Sequence, residues 1–246
     1  MAEGRVQPNR NTDLIDSILS CNACKDLPLG PRPILQFTAT SKILIAGQAP
    51  RRITHHKGIP FDDPSGDRLR DWLGVSRETF YDASKIAILP MGFCYPGTGP
   101  SGDLPPRSEC AKAWRSRVLK ALGSVELTIV IGRYAINWHL PDYANHSVTD
   151  AVKAWPEVWP EKIILPHPSP RNNRWLKSNP WFSNRLIPIL QDRVKAMTEL
   201  IFQREDGATT WKPDQLQHGA ALFNGSDRPF HVVPICSTPP FFRPNL

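Results

Sequence analysis

Four short apolar runs, each bounded by turn residues, constrain the fold of this chain more than any other feature. They have the length and composition of buried strands, and they cover residues 42–46, 85–89, 127–131 and 162–165. Segments with helical periodicity lie between them, at residues 66–73, 108–122 and 133–138. Because strands and helices alternate, the sequence predicts a three-layer α/β/α fold with a central four-stranded parallel sheet. Ligands of such folds bind at the carboxyl ends of the strands.

The length of the chain sets the expected domain organisation. With 246 residues it can bury one sizeable core, so we expect a catalytic domain over residues 1–202. A short helix over residues 11–19 opens this domain, and a helical stretch over residues 179–202, interrupted at Pro188, closes it. Residues 203–246 show no sustained periodicity, and we expect them to form a loosely ordered extension.

The charge balance favours an anionic partner. There are 30 Lys and Arg residues against 23 Asp and Glu, a formal net charge of +7, which suits binding to nucleic acid. No apolar run approaches the ~20 residues of a membrane helix, and the first residues lack the apolar core of a signal peptide. We therefore expect a soluble, cytoplasmic and monomeric protein with a nucleic acid, rather than a membrane, as its partner.

The first motif follows the first apolar run. It is the turn Gly47-Gln48-Ala49-Pro50, after which the chain passes through a basic loop to Phe61 and then to the helix predicted at Gly66. Taken alone, a turn after a buried strand is as compatible with a purely structural role as with a functional one. The first motif alone therefore does not distinguish a structural role from a functional one.

The second motif, His167-Pro168-Ser169-Pro170-Arg171-Asn172, places an imidazole, a hydroxyl and a cation after the last strand. Together the two motifs resemble those of the uracil-DNA glycosylase superfamily, and the second is similar to that of the single-strand-selective monofunctional members. The resemblance implies that His167 donates a hydrogen bond to uracil O2 and that Ser169 contacts a phosphate beside the lesion. It also places Arg171, with Asn172 beside it, where the family inserts a wedge into the duplex, and Phe61 where an aromatic ring stacks on the base.

This resemblance implies an enzyme that extrudes uracil, or another deaminated base, from DNA and hydrolyses its N-glycosidic bond to leave an abasic site. Several members orient the attacking water with an Asp or Asn where this chain has Ala49. Families 4 and 5 of the superfamily share that alanine, and Gln48 can bind a water but cannot take its proton. By analogy with family 5, Asp63 becomes the candidate for water activation, with Asp62 second; alternatively, either carboxylate caps the helix near Gly66.

Recognition of the base departs from the family pattern. Many members read uracil with an Asn at the end of the second strand, where this chain has Pro90. We expect backbone groups of Met91, Gly92 or Phe93 to take over this contact. The departures at Ala49, Gln48 and Pro90 also leave a second hypothesis open, a binding module for damaged or single-stranded DNA that turns over slowly or not at all.

The cysteine spacing points to a metal site. Two residues separate Cys21 from Cys24, and fifteen separate Cys94 from Cys110, while Cys236 lies in the C-terminal tail. From the residues alone, four thiolates suit a structural zinc ion. The resemblance to the family 4 enzymes, which place their ligands in this order, implies a [4Fe-4S] cluster instead.

Basic and aromatic residues flank both motifs. We expect the cations to contact phosphates and the tryptophans to stack on DNA, the alternative being a solvated rim. The residues concerned are Arg51, Arg52, His55, His56, Lys57, Arg171, Arg174 and Lys177, with Trp175 and Trp181.

Overall fold

A computed structural model describes residues 10–205 with the exception of residue 101. Of the extension expected at residues 203–246, residues 206–246 lie outside this described range. The fold confirms the predicted mixed α/β class, because a four-stranded parallel sheet lies between layers of helices. Its strands run in the order β2-β1-β5-β6. They are β1 (Ile43–Ala46), β2 (Ile86–Ile88), β5 (Leu127–Ile131) and β6 (Lys162–Leu165), and a separate hairpin is formed by β3 (Thr98–Gly99) and β4 (Gly102–Asp103).

The helices of the described range, in chain order, are α1 (Arg10–Leu19), α2 (Arg52–Lys57), α3 (Pro64–Leu73), α4 (Arg77–Tyr81), α5 (Ser108–Cys110), α6 (Ser116–Ala121), α7 (Gly132–His139), α8 (Val148–Lys153), α9 (Trp155–Val158), α10 (Asn173–Ser178) and α11 (Ile187–Glu205). π-helical turns at Ala111–Arg115 and Phe182–Leu186 precede α6 and α11, and 3-10 turns lie at Pro141–Tyr143 and Pro170–Asn172. No helix in the described part of the chain is long and apolar enough to cross a membrane.

The apolar runs form strands because helices cover both faces of the sheet. Side chains alternate between the faces along a strand. Ile43 and Ile45 of β1 therefore join one buried cluster with α3, α7 and α11, whereas Leu44 joins a second cluster with α1 and α6. Fully burying one such side chain contributes about 1.5–3 kcal/mol, so slipping a strand by one residue would be costly.

The predicted strands match the observed ones to within one residue at each end, but one helical prediction needs correction. The basic segment after Pro50 is not a loop, because residues Arg52–Lys57 form α2. The predicted interruption of the C-terminal helix at Pro188 is confirmed. The helical run is continuous from residue 180, and it widens to the π-helical turn Phe182–Leu186 directly before Pro188, whose missing N–H and ring do not allow a regular α-helical turn there.

Candidate active site

The two motifs meet at the carboxyl ends of β1, β2 and β6. The loop after β2 is hydrogen-bonded to the first-motif turn, because the Met91 N–H donates to Gly47 O at 2.9 Å and the Gly92 N–H donates to Gln48 O at 3.0 Å. Between these loops lies a pocket with about 430 Å³ of empty space. Its lining includes Gln48, Ala49, Phe61, Asp63 and His167, which the sequence predicted to act together.

Phe61 forms a wall of this pocket and has an unusual backbone. Its φ of 55° lies in the left-handed region, which non-glycine residues seldom adopt. Its neighbours are glycines with little room: a Cβ on Gly66 would lie 1.6 Å from the Phe61 carbonyl oxygen, and one on Gly47 would lie 3.2 Å from its ring. The glycines at 47 and 66 therefore allow the aromatic ring to stand against the first-motif turn.

His167 is held as a neutral imidazole with a defined tautomer. The Ser169 N–H donates to its Nδ1 at 3.2 Å, which leaves the proton on Nε2. Burial lowers the pKa of His167 below its usual value, although the carboxylate of Asp63 opposes this shift. At neutral pH the side chain is consequently an uncharged N–H donor in the wall of the pocket.

The loop that carries His167 is fixed by amide and guanidinium donors. Asn172 Nδ2 donates to the His167 carbonyl at 2.7 Å. Arg68, reaching across from α3, donates to the Ser169 carbonyl at 2.9 Å and to Asn173 Oδ1 at 2.7 Å. Arg68 was not among the predicted site residues, because its role depends on a contact between residues 101 positions apart.

Asp63 is the N-cap of α3 and also lines the pocket. Its Oδ1 accepts hydrogen bonds from the N–H groups of Ser65 and Gly66 at 2.9 and 3.0 Å, and the residue is buried. The capping alternative is therefore confirmed, and neither bond uses Oδ2. Asp62, the second candidate for water activation, instead pairs with Lys57 at 3.1 Å and Arg77 at 2.8 Å, which lowers its pKa.

The backbone N–H groups expected to read the base have other partners. Those of Met91 and Gly92 donate to the first-motif turn, and that of Phe93 donates to Cys110 Sγ at 3.3 Å. Neither Met91 nor Phe93 lines the pocket, whereas Pro90, which has no N–H, does. These three N–H groups are therefore used in closing the loop onto the β1 turn and on Cys110, and the expectation that backbone groups of Met91, Gly92 or Phe93 replace the missing Asn stays a prediction.

A buried cation supports the end of β2 beside the pocket. Arg115, from the π-helical turn, donates to the carbonyls of Leu89 at 2.6 Å and Pro90 at 3.3 Å, and its second nitrogen lies 2.5 Å from His139 Nε2. Burial lowers the pKa of His139 to about 3, so the imidazole is neutral and accepts this bond. No sequence motif identifies either residue.

A second, polar cleft adjoins the pocket and shares Gln48 to Arg51 and His167 with it. It has about 770 Å³ of empty space and is also lined by Ser169, Arg171, Asn172 and Asp103. Arg51 and Asp103 form an ion pair at 3.0 Å that ties the hairpin to the first motif. The Arg171 guanidinium packs against the same hairpin, 2.7 Å from where a Cβ on Gly102 would lie.

Some of the cations and aromatic rings expected at a DNA surface are otherwise engaged. His55 is buried, while Arg32 donates to the His55 and His56 carbonyls at 2.6 and 3.1 Å and so caps the end of α2. Trp175 and Trp181 pack on Phe182 and the larger core cluster rather than standing free. Both rings remain partly exposed, and the expectation that they stack on DNA stays a prediction.

The four predicted cysteine ligands line one cavity, with about 440 Å³ of empty space. Trp114 Nε1–H donates to Cys21 Sγ at 3.4 Å, and burial raises the pKa of Cys94 to about 11 and that of Cys110 to about 12. Within residues 10–205, however, no three His, Cys, Asp or Glu side chains converge closely enough to hold a metal ion. Cys236 lies outside the described residues.

A protein-family model matches most of the chain. The model described as the uracil DNA glycosylase superfamily matches residues 35–191, more than half of the chain. The matched segment contains both motifs, the whole four-stranded sheet and every residue of the pocket lining except Ile34.

Proposed function

Because this chain belongs to the uracil DNA glycosylase superfamily, we propose that it hydrolyses the N-glycosidic bond of uracil in DNA and leaves an abasic site. The observation that carries this proposal is the state of His167, a neutral imidazole whose Nδ1 is occupied and whose Nε2 keeps its proton beside an aromatic wall. Other deaminated bases belong to the same substrate class.

The reaction places opposite charges on the two fragments. When the bond between deoxyribose C1' and uracil N1 breaks, its electron pair leaves with the base, and the sugar becomes an oxocarbenium-like cation. The Nε2–H of His167 donates to the developing uracil anion, so this hydrogen bond strengthens in the transition state. A neutral imidazole makes this bond without protonating the base.

Asp63 acts on the other fragment. Its Oδ1 is held by two N–H groups of α3, which fixes the carboxylate at the pocket while leaving Oδ2 outside the cap. The negative charge stabilises the sugar cation, and Oδ2 accepts the proton of the water that attacks C1'. Gln48 helps to orient this water, and Phe61 stacks on the extruded base.

The adjoining cleft holds the DNA backbone. Beside His167 it is lined by Ser169, Arg171 and Asn172. Their hydroxyl, guanidinium and amide groups can donate hydrogen bonds to phosphate oxygens. We propose that phosphates on either side of the flipped nucleotide bind here, with Arg171 entering the gap left by the base.

We further propose that Cys21, Cys24, Cys94 and Cys110 hold a [4Fe-4S] cluster, as in the family 4 enzymes. The support is one cavity whose lining includes all four cysteines, with N–H donors to Cys21 and Cys110 of the kind that stabilise bound thiolates. A zinc ion, the alternative, needs four sulfurs within about 2.3 Å of one atom. When bound, the cluster would cross-link the segment before β1 to the loop after β2.

Iron, sulfide and zinc analysis of anaerobically prepared protein, with its visible absorption spectrum, tests the metal proposal. We expect a coloured protein with iron and sulfide, and loss of both in Cys110→Ser. A colourless sample that contains zinc and no iron would contradict the cluster.

The activity is tested with oligonucleotides that carry uracil, hypoxanthine, xanthine or a mismatched thymine, each in single-stranded and duplex form. We expect strand cleavage after alkali treatment of the uracil substrates, which reports the abasic site. His146→Ala, at an exposed histidine outside both the pocket and the cleft, should match the wild type.

The second candidate is a binding module on the same fold. It is favoured by Ala49 and Pro90, which bring no polar side-chain group to the pocket they line. Tight binding of uracil-containing DNA by the wild type, without any abasic product over many hours, would support it.

A further inference from the structure

The hydroxyl of Ser65 is the one polar group of the pocket lining that is both buried and unpaired in the described structure. The residue is 1% exposed, it lines the pocket, and its Oγ has no hydrogen-bond partner. A buried hydroxyl without a partner is costly, and most buried polar side-chain atoms in folded proteins are paired. The missing partner must therefore come from whatever fills the pocket.

The backbone around Ser65 is rigid. Its N–H donates to Asp63 Oδ1 at 2.9 Å, and the adjacent Gly66 packs directly against the Phe61 carbonyl. Asp63, Ser65 and Phe61 consequently form one unit at the start of α3. The hydroxyl is thereby fixed beside the aromatic wall on which, under the proposed function, the base stacks.

The surroundings of the hydroxyl indicate a base rather than a phosphate. Ser65 lines only this pocket, whose wall also includes the apolar Ile34, Ile88 and Pro90. It is absent from the lining of the polar cleft that contains Ser169 and Arg171. Since the N–H groups of Met91 and Gly92 are used within the protein, the pocket lacks the amide donors expected there.

We infer that Ser65 is a specificity-determining residue whose Oγ hydrogen-bonds the carbonyl–imino edge of the flipped base. This inference rests on the proposed function and deepens it. With His167 on uracil O2, the edge left for Ser65 is O4 and N3–H, and a hydroxyl can donate to the first or accept from the second. Hypoxanthine and xanthine also present a carbonyl next to an N–H, so the hydroxyl suits deaminated bases as a class.

The test compares Ser65→Ala with wild type on two substrates, uracil and an N1-linked 2-pyridone, a base that keeps O2 but has C–H groups in place of N3–H and C4=O. For uracil we expect kcat/KM to fall about tenfold, the size of one neutral hydrogen bond. For 2-pyridone the loss should shrink to less than about threefold, because the base offers neither a donor nor an acceptor on that edge. An equal loss on both bases would overturn the inference and place the hydroxyl on the attacking water.

Thermal unfolding provides a readout that does not depend on activity. Ser65→Ala removes an unpaired hydroxyl, so its Tm should equal or exceed that of the wild type. The matched control is Ser41→Ala, a buried serine outside the pocket whose Oγ donates to the Ala83 carbonyl at 2.7 Å. The control should lower Tm without changing the ratio of the kcat/KM values for the two substrates. A Tm drop of several degrees in Ser65→Ala would reveal an internal partner and contradict the inference.

Binding to an oligonucleotide with 2'-fluoro-2'-deoxyuridine, which resists hydrolysis, distinguishes a failure of the proposed function from a failure of the inference on Ser65. If the wild type releases no uracil, the proposed function fails, yet a weaker Kd for Ser65→Ala would still place the hydroxyl on the base. If the wild type is active and Ser65→Ala matches it in kcat/KM and Kd, the inference on Ser65 fails while the function stands.

Discussion

The pocket and the polar cleft share a wall but differ in how their polar groups are satisfied. In the pocket, His167 is neutral, Asp63 is held through one oxygen, and the Ser65 hydroxyl has no partner. In the cleft, Arg51 is paired with Asp103, and Arg171 packs against the hairpin. Under the proposed function the two regions have different tasks: the pocket stabilises charge that develops during the reaction, whereas the cleft binds phosphates in place of its internal ionic contacts.

The largest effect should come from His167. Replacing it with Ala removes the donor to the departing base, and we expect kcat to fall by about 10²–10³-fold with little change in DNA affinity. Single-turnover base release and a separate binding titration measure the two quantities. If the variant binds DNA more weakly but keeps its kcat, His167 contributes to DNA binding and not to the chemical step.

Asp63 should follow, and the choice of variant separates its charge from its capping role. Asp63→Asn keeps an oxygen for the cap but loses the charge, so kcat should fall on the order of 10²-fold while stability stays close to that of wild type. Asp63→Ala should in addition lose about 1 kcal/mol of unfolding free energy. If Asp63→Asn retains full kcat, the carboxylate is only a helix cap.

The cleft should respond in affinity instead of rate. Arg171→Ala should weaken DNA binding several-fold and reduce the slope of log Kd against log salt by about 0.9 on duplex DNA if it contacts one phosphate. Asp103→Asn frees Arg51 from its ion pair, so DNA should bind more tightly. Salt titrations of both variants provide the measurement, and a change in kcat at saturating DNA would show that the two regions are not separate.

The smallest effect concerns pH. Because burial lowers the pKa of His167 below its usual value of about 6.5, the neutral donor predominates at pH 7, and kcat should fall only on acidification below that value. The unfolded state binds this proton more readily than the folded state, so the His167 contribution to stability is also lost as pH falls. His167→Asn should lack this acid limb, and an acid limb centred above pH 7 would contradict a neutral imidazole.

The sequence predicted the sheet well because buried parallel strands have to be continuous apolar runs. Residues 127–131 and 162–165 match β5 and β6 without error. The motifs placed His167 and Asp63 at one pocket for a related reason, since parallel strands bring their carboxyl ends to the same edge. Local pattern and topology were sufficient for these features.

The rest depends on contacts between distant residues. Helix α2 has no side-chain cap at its start and is held at its end by Arg32, so its basic sequence was mistaken for a loop. Arg68 and Arg115 support the site across 101 and 26 positions. The partners of the Met91 and Gly92 N–H groups could not be predicted, because a sequence does not show which carbonyl oxygens accept a given hydrogen bond.

The central claim, that the pocket breaks the glycosidic bond, is tested most directly by mass spectrometry of a uracil-containing oligonucleotide after a single turnover. The account predicts free uracil and a strand that has lost this base and gained a hydroxyl from water, with His167→Ala leaving the strand intact on the same timescale. A strand of unchanged mass, tightly bound to the wild-type protein over many hours, would contradict it.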